Sequence, residues 1–188
     1  MSTGATIALI VVAVVVVAAL AALTLRPRMR RRRLERRFGP EYHRAVAEHG
    51  TPEKAQEDLE ERLRLRRDLD VRPLSDEARE RYRTDWAGLQ EEFVDAPGQA
   101  LVDADELIGR VMRDRGYPAD ERDEALAALS VDHARTLQSY RSAHAVARKA
   151  QEGSATTEEM REAVVRAREL FAELVEAGSG TPRPTTSH

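Results

Sequence analysis

The sequence predicts an all-α protein in which one N-terminal transmembrane helix is followed by a compact multi-helix bundle of about six helices. Three observations support this prediction. The first 25 residues contain a long apolar run and no charged side chain. Beyond residue 38, apolar residues recur at intervals of three and four, the spacing of one helix face, and no strand pattern is found. Residues that start and end helices separate these apolar stripes.

An unbroken apolar run of 21 residues extends from Ala5 to Leu25 and is interrupted only by the hydroxyls of Thr6 and Thr24. A helix of this length spans about 31 Å, roughly the thickness of the hydrocarbon core of a bilayer. Valine is frequent in the run, but an unpaired strand would leave its backbone polar groups unsatisfied in lipid. Residues 1–25 are therefore predicted to form a helical transmembrane anchor.

Residues 26–37 form an arginine-rich segment with a net charge of +7, because eight arginines are opposed by Glu35 alone. The arginines are Arg26, Arg28, Arg30, Arg31, Arg32, Arg33, Arg36 and Arg37. Basic residues that flank a transmembrane helix stay in the cytoplasm, where each contact with anionic headgroups contributes about 1 kcal/mol. The prediction is a single-pass protein of the cell membrane, with its N-terminus outside, its C-terminal domain cytoplasmic and these arginines on the membrane surface.

Two alternatives concern the N-terminal region. A cleaved signal peptide would make the chain an exported helical protein with a mature N-terminus near residues 22–28. Signal peptides have basic residues before an apolar stretch of about 7–15 residues, whereas the arginines here follow a longer stretch, so an uncleaved anchor is favoured. Ala18 and Ala22 have the small-x-x-x-small spacing that lets two membrane helices approach closely, which leaves a homodimer as a further interpretation.

Residues 38–177 are predicted to form one helical cytoplasmic domain, a length that supports a single hydrophobic core. A short segment opens at Pro40 and closes at Gly50, and Thr51-Pro52 then supplies an N-cap and a first-turn proline for the next helix. Ser75 starts a third helix. One face of that helix carries Tyr82, Trp86, Leu89 and Phe93 at steps of four, three and four.

The second half of this domain carries the clearest apolar stripe in the chain. The helix that follows Pro97 sets Leu101, Ala104, Leu107, Ile108, Val111 and Met112 on one face, and Gly116 caps its end. A short helix over 120–129 precedes a longer one that reaches Gln151. The last helix begins with the capping box Thr156-x-x-Glu159. The tail, residues 178–188, is rich in Gly, Pro, Ser and Thr and is predicted to be disordered.

Two histidines of the longer helix are the main candidates for chemistry. His133 and His144 share one helical line, but eleven residues separate them by about 16 Å along the axis, so they cannot bind one metal ion. Asp132 is expected to start this helix, where its charge suits the helix dipole. Cysteine is absent, and no phosphate-binding glycine loop, nucleophile motif or zinc motif is found. No catalytic, cofactor-binding or metal-binding residue is predicted.

Several stretches of the body form a recognisable pattern. They are Phe38-Gly-Pro-Glu-Tyr42, Arg72-Pro-Leu-Ser75, the Trp86 to Phe93 helix, Ala104-Asp105 through Val111-Met112 to Arg115-Gly-Tyr-Pro118, Ser130-Val-Asp-His133 and Tyr140-Arg-Ser-Ala-His144. Together they resemble a family of actinobacterial single-pass membrane or secreted proteins for which no activity is established. The resemblance implies a defined domain and an actinobacterial origin, and it assigns no catalytic residue.

The favoured interpretation is a membrane-anchored adaptor or scaffold that binds an unknown protein partner and is not an enzyme. The partner surface is predicted at Arg115, Tyr117, Asp132 and His133. No cofactor or nucleic acid is expected, because residues 38–188 carry a net charge of −10 and no aromatic residues are interleaved with the arginines. The alternative is an enzyme without a known motif that uses Asp132, His133 and His144, and it requires that the two histidines face a shared pocket.

Overall fold

The computed structural model describes residues 11–16, 28–118 and 121–177. Within these ranges all regular structure is helical, so the predicted all-α class is confirmed. Residues 11–16 form one helical segment, and eight more follow. They are α1 (28–38), α2 (Pro40–His49), α3 (Pro52–Asp68), α4 (Asp76–Glu92), α5 (Pro97–Asp114), α6 (Arg122–Asp132), α7 (Ala134–Gln151) and α8 (Thr157–Glu176).

The described residues thus contain nine helical segments, and the predicted number of about six is wrong. One reason is the arginine-rich segment, which forms a helix of its own. The two short helices, α2 with 10 residues and α6 with 11, correspond to segments that were predicted at Pro40 to Gly50 and over 120–129.

The predicted transmembrane anchor, residues 1–25, lies outside the described residues except for 11–16. The predicted tail 178–188, Arg26 and the two alanines of the dimer interpretation, Ala18 and Ala22, also lie outside them. Among the helices that the structure does describe, none is both long enough and apolar enough to cross a bilayer.

The larger hydrophobic core lies among α4, α5, α7 and α8. Both α5 and α8 contact the other three helices, and the predicted apolar stripe of α5 faces them. Residues without exposed surface in this core are Leu107, Ile108 and Val111 of α5, Ala128 and Leu129 of the adjoining α6, Leu137 and Tyr140 of α7, and Ala163, Leu170 and Leu174 of α8. At the edge of the core, Trp86 of α4 stacks on Phe171 of α8 with ring centroids 4.5 Å apart.

A second, smaller hydrophobic core joins α1, α2 and α3 to the end of α6. It contains Leu34, Phe38, Tyr42, Ala45, Ala55, Leu59 and Val131. The prediction of a single core is therefore wrong, because α1 supplies an apolar face that combines with α2 and α3. The predicted domain boundary between residues 37 and 38 falls inside α1. Contacts of α2 with α7 and of α3 with α6 connect the two cores.

The predicted helix starts are confirmed by hydrogen bonds. The side chain of Thr51 accepts from the backbone N–H of Lys54 at 3.4 Å, and that of Ser75 accepts from Ala78 at 3.1 Å. At the start of α8 the capping box is complete. The Thr156 hydroxyl accepts from the Glu159 N–H at 3.2 Å, and the Glu159 carboxylate accepts from the Thr156 N–H at 2.8 Å.

Gly116 ends α5 as predicted and also brings two distant loops together. Its φ of 92° lies in the left-handed region, and the N–H groups of Gly116 and Tyr117 bond back to carbonyls of the last helical turn. A Cβ at this position would collide with the backbone carbonyl of Asp70. Next to it, the N–H of Arg72 donates to the carbonyl of Arg115 at 3.0 Å. The end of α5 is thereby fixed to the α3–α4 connection.

Candidate functional site

The arginine-rich helix α1 is held on the body by the side that carries no charge. Leu34 and Phe38 are one helical turn apart and are only 2% and 0% exposed in the smaller core. A helix docked by one face presents its remaining side chains in fixed directions. The arginines of α1 therefore occupy defined positions relative to α3.

Three of these arginines are neutralised by acidic residues. Arg30 bonds Glu60 of α3 at 2.5 Å, and Arg31 bonds Glu35 of α1 at 2.8 Å. These carboxylates raise the pKa of both guanidinium groups through hydrogen bonds. Arg37 reaches Asp132 at the end of α6 at 3.4 Å. The other described arginines of the segment form no ion pair with any described residue: they are Arg28, Arg32, Arg33 and Arg36.

A surface groove of about 600 Å³ runs between α1 and α3, and we call it the α1–α3 groove. It is lined by Met29, Arg30, Arg33, Leu34, Glu60, Leu63, Arg64 and Arg67. Arg64 and Arg67 come from α3, are exposed, and form no ion pair with any residue that the structure describes. These two arginines were not among the predicted site residues. Their spacing of three residues places them on one face of α3, but only the docking of α1 brings that face against Arg33.

Asp132 lies in a different place from the predicted one. It is the last residue of α6, and His133 separates it from α7, so it does not act on the helix dipole at the start of α7. Instead, its carboxylate accepts from Arg66 Nε at 2.6 Å and from Arg37 Nη2 at 3.4 Å. Asp132 therefore links α6 to both α3 and α1. His133 pairs through Nδ1 with Glu173 of α8 at 2.8 Å.

Arg115 and Tyr117, the other two residues of the predicted partner surface, are buried at 6% and 3% exposure. Arg115 donates to the carbonyls of Arg72 and Leu174 at 3.3 and 3.2 Å, and it lies over the Tyr117 ring. Burial lowers the pKa of Arg115 and raises that of Tyr117, and the charge of Asp132 acts on both. Arg115 and Tyr117 differ from the prediction, because buried side chains offer a partner no contact surface.

A polar cluster on α5, α6 and α7 centres on Asp105. The Asp105 carboxylate accepts from Arg122 Nη2 at 2.7 Å and from the Tyr140 hydroxyl at 2.7 Å, and its oxygens lie 3.0 Å from His144 Nδ1. The Asp105 side chain is only 15% exposed. One carboxylate therefore ties together three side chains from two other helices.

Burial alone would raise the pKa of Asp105, but the partners of this carboxylate outweigh burial. The hydrogen bond to His144, the charge of Arg122 and the hydrogen bond from Tyr140 together lower the pKa of Asp105 below its ordinary value. In the same cluster, burial and the nearby Asp105 charge raise the pKa of Tyr140. The Asp105 carboxylate therefore stays ionised and the Tyr140 hydroxyl stays protonated, a combination that suits a structural hydrogen-bond network.

One feature of the sequence indicates this cluster. Asp105 follows Leu101 by four residues and precedes Ile108 by three, so it lies on the edge of the apolar stripe of α5. Tyr140 and His144 are four residues apart, one helical turn, and the Asp105 carboxylate contacts both side chains. An acid at an inward position predicts buried partners. Arg122 could not be identified from sequence, because it belongs to another helix.

The three residues of the enzyme alternative do not meet. Asp132 pairs with arginines, His133 pairs with Glu173, and His144 pairs with Asp105. No hydrogen bond in the described part of the chain joins either histidine to a serine. Across the same residues, no group of three or more acidic or histidine side chains is arranged to hold a metal ion.

A second buried carboxylate, Glu41 of α2, lies among three arginines. Its side chain is 1% exposed, and Oε2 lies 3.5 Å from Arg44 Nε, 3.6 Å from Arg62 Nη1 and 3.4 Å from Arg141 Nη2. Arg62 also pairs with Asp58 at 2.6 Å. Burial lowers the pKa of Arg141. These charges connect α2 with α3 and α7 at the junction between the two cores.

Comparison with other proteins gives no match: no protein-family model, no curated protein and no solved structure is similar to this chain. The resemblance to the actinobacterial family therefore stays a prediction. Because no relative supplies a residue role, the function has to be argued from the geometry of the chain itself.

Proposed function

We propose that this chain is a single-pass protein of the cell membrane whose helical domain lies on the cytoplasmic side and binds a protein partner as an adaptor or scaffold. In this proposal residues 1–25 form the transmembrane anchor and α1 lies at the membrane surface. The domain is not an enzyme. The resemblance to single-pass actinobacterial proteins is consistent with this arrangement.

The observation that supports the proposal is the docking of α1 through Leu34 and Phe38. The arginine-rich segment follows directly after the apolar run, with the order of charges that keeps a downstream domain in the cytoplasm. Since α1 packs on α2 and α3, an anchor that precedes it would hold the whole helical domain close to the bilayer. A scaffold needs such a fixed position.

A topology measurement tests the location. Reporter enzymes that are active on only one side of the membrane are fused to each end of the full chain. In a separate experiment the cells are fractionated, and the membrane fraction is washed with carbonate to remove proteins that are not inserted in the bilayer. We expect the chain in the washed membrane fraction, with a C-terminal reporter active only in the cytoplasm. A C-terminal reporter active only outside the cell would overturn the proposal.

The exported alternative makes a different prediction for the same cells. Mass spectrometry of the purified chain would then give a mature N-terminus near residues 22–28, whereas the anchored chain retains its first residues. The result distinguishes the two interpretations without depending on any reporter.

Partner capture tests the adaptor role. The full chain is cross-linked in cells, extracted in detergent and purified, and the wild type is compared with a variant carrying Asp132→Asn. Asp132 is the exposed member of the predicted partner surface. We expect a partner that is lost from the variant, and recovery of this chain alone from both would contradict the proposal.

A further inference from the structure

The α1–α3 groove is the place where unpaired cations, an apolar floor and closeness to the predicted anchor coincide. We propose that it binds the headgroup of an anionic phospholipid, with the lipid phosphate between Arg33 of α1 and Arg64 and Arg67 of α3. This inference rests on the proposed membrane anchoring. It goes beyond that proposal because it assigns a defined lipid site that includes α3.

The charge of the groove is divided unevenly along its length. At one end Arg30 is paired with Glu60, and Glu57 and Glu61 lie close to this pair. Arg64 lies beside these acidic residues without forming an ion pair with them, whereas Arg33 and Arg67 line the groove but not the part that contains Glu57 and Glu61. Three guanidinium groups that line one groove and form no ion pair repel one another, and a phosphate that accepts hydrogen bonds from them removes this repulsion.

The floor of the groove suits a lipid better than a free anion. Met29, Leu34 and Leu63 line it, and Met29 is 65% exposed. An exposed methionine next to three arginines offers apolar contact for the first carbons of an acyl chain, while the arginines hold the phosphate. Inorganic phosphate would use the arginines and leave the apolar surface in water.

The position of the groove along the chain agrees with a headgroup. Met29 follows Leu25, the last residue of the predicted anchor, by four residues, so it lies at most about 14 Å away even along a fully extended chain. The headgroup layer on each side of a bilayer is about 5–8 Å thick. The mouth of the groove is therefore within reach of that layer, whereas Arg64 and Arg67 would not meet it unless α1 and α3 were docked together.

Lipid titration of the purified full chain tests this site. Binding of phosphatidylglycerol and of phosphatidylcholine with identical acyl chains is followed by native mass spectrometry in detergent. We expect preferential binding of phosphatidylglycerol, and at least about a tenfold loss of that affinity in the double variant Arg64→Gln with Arg67→Gln.

The matched control is the double variant Arg32→Gln with Arg36→Gln. It removes the same charge from α1, closer to the predicted anchor, but neither residue lines the α1–α3 groove. We expect less than about a twofold loss of affinity. Equal losses in both double variants would mean that the arginines act only as a diffuse charge, and this result would overturn the proposed site.

Two further readouts separate the remaining outcomes. A photoactivatable phosphatidylglycerol should label Met29 and Leu63, and soluble glycerol phosphate in excess should not displace it. Displacement by glycerol phosphate without any lipid preference would assign the groove to a free anion and contradict the lipid proposal. A chain that remains in the washed membrane fraction but shows no loss in the Arg64 and Arg67 variant would refute the groove and leave the membrane anchoring intact.

Discussion

The two hydrophobic cores of this protein are built differently. The larger core, among α4, α5, α7 and α8, is almost entirely apolar, and its main polar cluster is centred on the Asp105 carboxylate, which accepts hydrogen bonds from Arg122 and Tyr140. The smaller core, formed by α1, α2 and α3, has charged residues on every side, including the buried Glu41. The comparison indicates that apolar packing stabilises the larger core. In the smaller core, ion pairs and a few apolar side chains hold the arginine-rich helix α1 in place.

The largest expected effect on stability comes from the substitution Phe38→Ala, which tests whether the two cores unfold separately. Loss of this fully buried ring should cost about 3 kcal/mol, because a cavity replaces it. Hydrogen exchange of the full chain should accelerate in α1, α2 and α3 and remain unchanged in α5, α7 and α8. The variant Leu137→Ala in the larger core should instead accelerate exchange throughout. A uniform acceleration after Phe38→Ala would show that the two cores unfold as one unit.

The next effect concerns the junction of the two cores. Glu41→Gln removes the negative charge between Arg44, Arg62 and Arg141 and leaves three guanidinium groups facing one another, so we expect a loss of about 2 kcal/mol in the free energy of unfolding. Denaturant titration measures it. The control Glu48→Gln lies on the same helix with a side chain that is 52% exposed, and it should change the free energy of unfolding by less than about 0.5 kcal/mol. Equal effects would mean that the burial of Glu41 has no energetic consequence.

A smaller and pH-dependent effect is expected from Asp105→Asn in the larger core. At neutral pH the free energy of unfolding of the variant should be about 1–2 kcal/mol lower than that of the wild type, because Arg122, Tyr140 and His144 keep a weaker hydrogen-bond acceptor. The pKa of Asp105 is lower in the folded chain than its ordinary value of 3.8, so its stabilising contribution is fully present above that value. This contribution is lost as the pH falls through the lower folded pKa.

Unfolding curves at a series of pH values, compared between the wild type and Asp105→Asn, measure this dependence. The difference in the free energy of unfolding between the wild type and the variant should become smaller as the pH falls below 3.8. The variant Asp103→Asn, which alters a neighbouring acid of α5 that accepts from Gln99, serves as the control. A difference that grew on acidification would contradict the assigned direction of the Asp105 pKa.

The smallest expected effect on stability concerns the capping box at the start of α8, which the sequence predicts and the structure confirms. Thr156→Ala removes the cap of α8 and should cost about 1 kcal/mol. The capping box also lowers the pKa of Glu159 to about 2, chiefly through the backbone hydrogen bond from Thr156. The variant loses the hydrogen bond that the Thr156 hydroxyl donates to Glu159 but keeps the backbone N–H at this position, so the pKa of Glu159 should rise part of the way towards its ordinary value of 4.5, as measured by nuclear magnetic resonance titration. Thr157→Ala, at the first helical position, should leave the pKa of Glu159 unchanged.

The sequence was sufficient for features that depend on neighbouring residues. The caps at Thr51, Ser75 and Thr156, the stop at Gly116 and the apolar stripe of α5 follow from local hydrogen bonding and helical spacing, and the structure confirms them. Pairings between helices could not be predicted in the same way. Whether Arg37 bonds Asp132, or Arg33 faces Arg64, depends on how distant segments pack, and alternating acids and arginines allow many pairings of similar energy.

The burial of Arg115 illustrates the same limit. An arginine next to a glycine in a loop is normally exposed, and it was predicted to face a partner. The structure instead places it under the α3–α4 connection, where two carbonyls accept from it. Only a tertiary contact could reveal carbonyls positioned to receive a guanidinium group in a buried place.

In the proposed membrane-bound arrangement, the docked face of α1 would also affect how the protein responds to different lipid compositions. A flexible basic tail adapts to any arrangement of anions, so its attraction to a surface depends mainly on total charge. With Leu34 and Phe38 inserted into the body, the helices that carry the cations, α1 and α3, keep a fixed relative position. Attraction should then depend on the spacing and shape of the anions, which would let the protein distinguish between membranes of equal charge density.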